Sequence, residues 1–392
     1  MRKKSKKQMP LMLAATDHAQ AIELENISRI LDANPTICDL AMQDLSEVSK
    51  KAHRSGARGM TADQVVRAAI VKQMFGFAYK ELAFHIIDSN SIRRFMRIGI
   101  ADKGFKKSVL NKNVKALSPQ TWEAINAQVV QYADDEKIEK GRQVRIDCTV
   151  VESNIHEPTD SSLLWDSVRV LTRLLHRAKQ DFGLRLSFQD HTRRAKRRLL
   201  GIMNSRSKKD RKSKYADLIK VTTKSIGYAQ RAIEAIDNEA SISSGMVALR
   251  LDLNRYSQLA ARVIDQTQRR VMLGEDVPAS EKVVSLFETH TDIIVKDRRD
   301  TFFGHKVCLT GGVSNLIVDC LIVDGNPADS NLTIEMLDRQ KELYGRYPLK
   351  VALDGGFASK DNLIKAKEKQ IKDVCFAKKR GLEVEDMCRS QW

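Results

Sequence analysis

One strand-like run, QVRIDCTVV at residues 143–151, is followed by helical patterning to about residue 290, and strands return only from 291. A chain with this order is neither all-α nor all-β, and its second half must build strands and helices together. Beyond 291, DTFFGHKVCLTGG and NLIVDCLIVDG read as an antiparallel pair around Gly311-Gly312. NPADSNLTIEMLDRQKELYG opens with a capping run and continues as a helix. PLKVALDGG is a short buried strand stopped by glycines, SKDNLIKAKEKQ a second capped helix, and KDVCFAK a final strand. The fold class expected is α/β (α+β).

The first half is helical. In MTADQVVRAAIVKQMFGFAYKELAFHIIDSNSIRRFMRIG, Thr61 or Asp63 is the N-cap, and Val65, Val66, Ala69, Ile70 and Met74 recur at helical spacing until Gly76. AYKELAFHII and SIRRFMRI give two further short helices around a turn at Asp88-Ser89-Asn90. Three short helices with tight turns, carrying Arg93, Arg94 and Arg97, match a helix-turn-helix pattern as well as a generic bundle with a basic face. Ser118-Pro119 starts a longer helix. After 143, PTDSS caps an amphipathic helix in which Leu164, Val168, Leu171, Leu175, Ala178 and Phe182 share a face. The boundaries expected are 1–55 for a basic tail and a weakly patterned helical segment, 56–140 for a helical domain of helix-turn-helix character, and 141–392 for a unit of strands and helices with a helical stretch over about 163–290.

Charge narrows the choice of partner. Of 392 residues, 67 are Lys or Arg and 50 are Asp or Glu, a net +17. That excess favours a polyanion, most simply nucleic acid, whose phosphates release counterions on contact with Lys and Arg. No apolar run is long enough to span a bilayer, and the basic start MRKKSKKQMP lacks the apolar core of a signal peptide. The six cysteines form no zinc-like spacing and read as reduced, mostly buried thiols of a cytoplasmic protein. Eleven Lys and Arg lie between Arg193 and Lys214 against one acid, Asp210. Arg193, Arg194, Lys196, Arg197, Arg198, Lys208, Lys209, Arg211 and Lys212 carry this run, which reads as a phosphate grip or as a solvated loop. No aromatic residue interleaves it to stack on bases.

Two strands carry an acid among apolar neighbours: Asp147 in RIDCTVV and Asp354 at the end of VALDGG. A desolvated carboxylate without a cation gives up its charge. Asp147 therefore pairs with an arginine or meets a metal, and Asp354 forms a turn or joins it there. Two such acids brought together suit Mg²⁺ or Mn²⁺, hard cations that take oxygen ligands and keep positions for water and phosphate. Asn154, His156 and Asp160 follow the first strand and either line this site or cap and order the local chain. His305 reads as a satisfied strand histidine.

DCTVVESNIHEPTDSSLLWDSVRVLTRLL, with VALDGGFASKDNLIKAKEKQIKDVCFAKKRGLE far downstream, resembles the DDE transposases of bacterial insertion sequences. The block from 60 to 130 is similar to their N-terminal helical domain, so the resemblance covers nearly the whole chain. It implies a ribonuclease H-like mixed sheet interrupted by a helical insertion, with Asp147 as first catalytic acid, Asp354 as second, and Mg²⁺ or Mn²⁺ between them. It further implies double-stranded DNA as partner, both terminal inverted repeats and target, and a homo-oligomer on that DNA in the bacterial nucleoid. One departure stands out. The family completes its site with a glutamate on a helix after the last core strand, and neither Glu383 nor Glu385 fits that position. The chain is therefore expected to stop before the glutamate-bearing helix, and to bind metal weakly or act as a DNA-binding remnant at transposon ends. An RNA-directed nuclease of the same fold is disfavoured by the scarcity of aromatics near the basic run.

Overall fold

The computed structural model describes residues 18–48, 59–99, 102–239, 241–296 and 300–376. The basic tail, Cys388, Glu383 and Glu385 lie outside them. The molecule is α+β with a mixed, open, six-stranded sheet. Two compact units share the chain. The first comprises the chain up to Asp147, Leu309–Cys320 and the chain from Asp329 on; the second comprises Cys148–Cys308 and Leu321–Ala328.

Seven helices open the first unit: α1 (Ala19–Ala33), α2 (Thr36–Val48), α3 (Ala62–Phe75), α4 (Tyr79–Asp88), α5 (Asn90–Phe95), α6 (Lys107–Val114) and α7 (Pro119–Asp135). Their ends follow local chemistry. Thr61 accepts the Gln64 N–H while the Gln64 side chain accepts the Thr61 N–H, a reciprocal cap that starts α3. Gly76 ends the helix at φ +66°, a left-handed conformation in which glycine has no Cβ penalty. Ser89 closes α4 and caps α5. The apolar faces meet in one core that fully buries Ile37, Val65, Val71, Leu82, Ile86, Met96 and Leu110. Arg67 lies inside it at 0% exposure. Its guanidinium donates to Asp63 at 2.6 Å, to Asp32 and Ser28 at 2.8 Å, and to the Phe95 carbonyl at 3.1 Å. A buried cation persists only when so fully partnered.

Strand β1 (Gln143–Glu152) alternates as the pleat requires, with Val144 and Ile146 buried and Arg145 and Asp147 exposed. In the second unit, α8 (Asp160–Gln180), α9 (Thr192–Met203), α10 (Lys208–Asp237) and α11 (Ser244–Thr267) pack together. Leu164, Val168, Leu171, Leu175 and Ala178 of α8 are all buried, whereas Phe182 falls just beyond the helix and packs at its edge. Helical structure stops earlier than the expected 290. A π-helical turn over Gln268–Leu273 ends at Gly274 (φ +79°), and only a short 3-10 turn, Ala279–Glu281, follows before the strands. The basic run is not a loop: it occupies α9 and the first turns of α10.

A strand not separated in the sequence, β2 (Asp292–Lys296), pairs antiparallel with the start of β3 (Asp300–Gly312), Asp292 opposite Gly304. The β3 hairpin partner is β4 (Ile317–Ile322). Then come α12 (Asp329–Tyr344), β5 (Lys350–Leu353), α13 (Lys360–Glu368) and β6 (Asp373–Phe376). In the first unit, β1 pairs parallel with β5, and β5 parallel with β6. The strand order is β2-β3-β1-β5-β6. Of the described cysteines only Cys308 is buried, so the expectation of mostly buried thiols does not hold. No helix among the described residues is long and apolar enough to cross a membrane.

Candidate metal centre

The β1–β5 register decides where the two candidate acids stand. Gln143 pairs with Lys350, Val144 with Val351, Arg145 with Ala352 and Ile146 with Leu353. Asp147 and Asp354 each follow the last of these pairs by one residue. Neighbouring strands lie about 4.8 Å apart, and side chains alternate between faces. With Ile146 and Leu353 both buried, alternation puts the two aspartates on the opposite face just past the β1–β5 paired stretch, Asp147 midway along β1 and Asp354 at the carboxyl end of β5. In open α/β sheets that end is where ligands gather.

Both carboxylates are exposed, which corrects the expectation of a buried charge. Asp147 does not interrupt an apolar run; it takes the outward, exposed position in an alternating strand. Asp354 takes the turn-forming role, one of the two foreseen for it. Its Oδ1 accepts the Gly355 N–H at 2.5 Å, capping the 3-10 turn Gly355–Phe357. The turn is closed by the Phe357 N–H donating to the Asp354 carbonyl at 3.0 Å. Gly356 lies close under Asp329: a Cβ here would come 2.7 Å from a carboxylate oxygen of that side chain, which would have to shift. Asp329, in the first turn of α12, is not singled out by any pattern in the sequence.

The donor set fits a hard divalent cation: two exposed carboxylates on one face, with their mutual repulsion to be offset. Among the described residues, no group of three or more His, Cys, Asp or Glu is gathered to hold a metal.

The candidate DNA-contacting residues separate into two kinds. Arg93 donates to the carbonyls of Gly99 and Asp102, Arg94 to Glu25 at 3.3 Å, and Arg97 to Asp32, with Asp63 3.5 Å away. Arg194 and Arg198 both clamp Asp217, holding its carboxyl below the usual range through these hydrogen bonds against some desolvation. Arg211 donates to the Ser205 carbonyl and Lys212 to that of Met272, each at 3.0 Å. These side chains fasten the protein to itself. By contrast Arg193, Lys196, Arg197, Lys208 and Lys209 are exposed and make no hydrogen bond or ion pair among the described residues. Arg193, Lys196 and Arg197 fall at helical spacing on the outer face of α9.

Of the remaining polar residues of the first motif, Asp160 is held inside the fold. Asp160 begins α8, is 7% exposed, and accepts from Gln266 and Arg270, both at 3.0 Å. Thr159, not Asp160, is the cap. His156 faces Asp166 at 3.6 Å, and Asn154 is exposed. His305 is more than a satisfied strand histidine. Its Nε2 lies 2.7 Å from Nδ1 of His290, whose Nε2 meets Glu288 at 2.9 Å, while Asp292 stands 3.6 Å from the far side of His305. Ring centres 4.9 Å apart with nitrogens at 2.7 Å require rings set end to end. The two nitrogens point at each other, in hydrogen-bond contact, rather than jointly at a third atom. A cavity of about 740 Å³ opens beside them, edged by Arg262, Lys282 and Asp324.

Comparison with protein-family models, with curated proteins and with solved structures finds no match.

Proposed function

We propose that the chain is a DNA transposase of the DDE type, which binds insertion-sequence ends and catalyses metal-dependent phosphodiester cleavage and strand transfer. One observation supports this reading: the β1–β5 register, whose last pair is Ile146 with Leu353, so that the next residues, Asp147 midway along β1 and Asp354 just past β5, some two hundred residues apart in the chain, fall on one face. The mixed sheet with its helical interlude is compatible with a ribonuclease H-like core, and the first seven helices with a helix-turn-helix-like DNA-binding part. Asp147 and Asp354 would hold Mg²⁺ or Mn²⁺, which when bound supplies positive charge for orienting water and the scissile phosphate. The sheet keeps the two carboxylates at a fixed spacing. Arg193, Lys196, Arg197, Lys208 and Lys209 neutralise backbone phosphates of duplex DNA without reading sequence. Assembly as a homo-oligomer on DNA belongs to the same reading.

A second reading, a DNA-binding protein that occupies transposon ends without cutting them, is favoured by the absence of a third gathered acid among the described residues. The test is cleavage of a DNA fragment carrying the element's ends, in Mg²⁺ and in Mn²⁺, by the wild type and by Asp147→Asn and Asp354→Asn. A transposase cuts, and each substitution lowers the rate at least a hundredfold, roughly the loss expected when a metal ligand is removed. Binding without cutting by every form selects the second reading.

A further inference from the structure

The turn after β5 is held by a side chain that has no part in the acid pair. Asn362, in the first turn of α13, is 5% exposed. Its backbone N–H is already taken by the cap residue Ser359 at 3.0 Å, leaving the carboxamide free to reach back. The carboxamide nitrogen lies 2.7 Å from the Ser330 carbonyl, 2.9 Å from the Thr333 hydroxyl and 2.9 Å from the Phe357 carbonyl. Two of these three neighbours are carbonyls that only accept, so the group facing them must be the donating NH₂. Thr333, fully buried, adds its own hydroxyl donation to the Phe357 carbonyl at 3.3 Å. Phe357 is the last residue of the 3-10 turn that Asp354 caps, and its ring is fully buried. One amide thus ties α12, α13 and the end of that turn together.

We propose that Asn362 is the positioning residue of the Asp354 carboxylate: it fixes the turn which that carboxylate caps. The proposal rests on the reading of Asp147 and Asp354 as a cation-binding pair. Asn362→Asp is close to isosteric but turns the donor into an acceptor facing two carbonyls, so the tie becomes a repulsion. Thr333→Val removes the hydroxyl that donates to the Phe357 carbonyl and accepts from Asn362, but leaves the amide its two carbonyl partners, and is the milder variant.

The experiment uses the full chain as wild type, Asn362→Asp and Thr333→Val. It reads amide exchange at Phe357 and Ala358, Mn²⁺ affinity from paramagnetic broadening, and the melting temperature. Asp147→Asn serves to identify the broadening that belongs to the pair. In Asn362→Asp, exchange at Phe357 and Ala358 is expected to quicken at least tenfold while Val351 in β5 keeps its protection, and Mn²⁺ affinity at the pair falls at least tenfold. Thr333→Val moves both readouts in the same direction by less, and decides the matter if Asn362→Asp does not fold. Unchanged exchange at Phe357 overturns the proposal. So does faster exchange with undiminished Mn²⁺ affinity, because the turn then loosens without displacing the carboxylate. Should the wild type bind no Mn²⁺ at the pair, the cation reading falls separately, and exchange alone upholds or overturns the tie.

Discussion

Two aspartates on one face of adjacent strands oppose each other at the scale of residues. Like charges directly across a strand pair destabilise by a few tenths of a kcal/mol up to about 1 kcal/mol. Neither carboxylate has a basic partner among the described residues, so removing one charge relieves repulsion. Asp147→Asn and Asp354→Asn are therefore expected to melt at or slightly above the wild-type temperature in metal-free buffer. A clear loss of stability in either would show that the acids are structural. Glu139 is the opposite case, an acid that the fold needs. Burial pushes its carboxyl up, but the Ser314 N–H and hydroxyl and the N–H groups of Gly141 and Lys140 more than offset this and hold it below the usual carboxylate range. It fills the space over Gly312, where a Cβ would lie 2.1 Å from its Oε2, and so pins the β3–β4 turn. A depressed folded-state value means the stabilisation is fully present above the unfolded glutamate value of about 4.3 and is lost as pH falls through the folded one. Urea midpoints measured from pH 7 to pH 3 should fall less steeply for Glu139→Gln than for wild type, from a lower starting point.

For whole elements, the outer face of α9 carries the sharpest expectation. Arg193, Lys196 and Arg197 face solvent, whereas Arg194 and Arg198 on the same helix are tied to Asp217. Replacing the first three by alanine should flatten the log–log salt dependence of DNA binding by up to about 2.7, at roughly 0.9 for each phosphate that is no longer neutralised. Replacing Arg194 and Arg198 should change that slope less, and equal effects would contradict the assignment of this face. The same helix shows what was legible in the sequence. Composition located the basic run but could not sort its members, because the sorting depends on Asp217, a full helix away in sequence and adjacent only after folding. Caps and periodicity located α3, α4, α5, α7, α8, α12 and α13, since Thr61, Ser89, Ser118, Thr159 and Ser359 act through local hydrogen bonds. β2 was not separated, because DIIVK carries no turn signal of its own and becomes a strand by pairing with Asp300–Gly304. For the acids, sequence supplied identity but not setting: RIDCTVV reads as a continuous apolar run, and only register shows that Asp147 faces out. Asn362 and Asp329 were missed for the same reason, as polar residues in helical first turns whose partners come from other elements.

Across the whole molecule, the claims combine into one. On the proposed reading the net +17 favours DNA as partner, and a parallel strand pair presents two carboxylates, one of which, Asp354, also caps a turn. If the pair exists to hold a cation, its members act as a unit, and their contributions to binding are not additive. The decisive measurement is Mn²⁺ binding by wild type, Asp147→Asn, Asp354→Asn and the double variant, followed by paramagnetic relaxation of water protons. Either single substitution should abolish the same bound ion, and the double variant should bind no worse than each single one. Wild-type binding retained by both single variants would contradict the account at its centre.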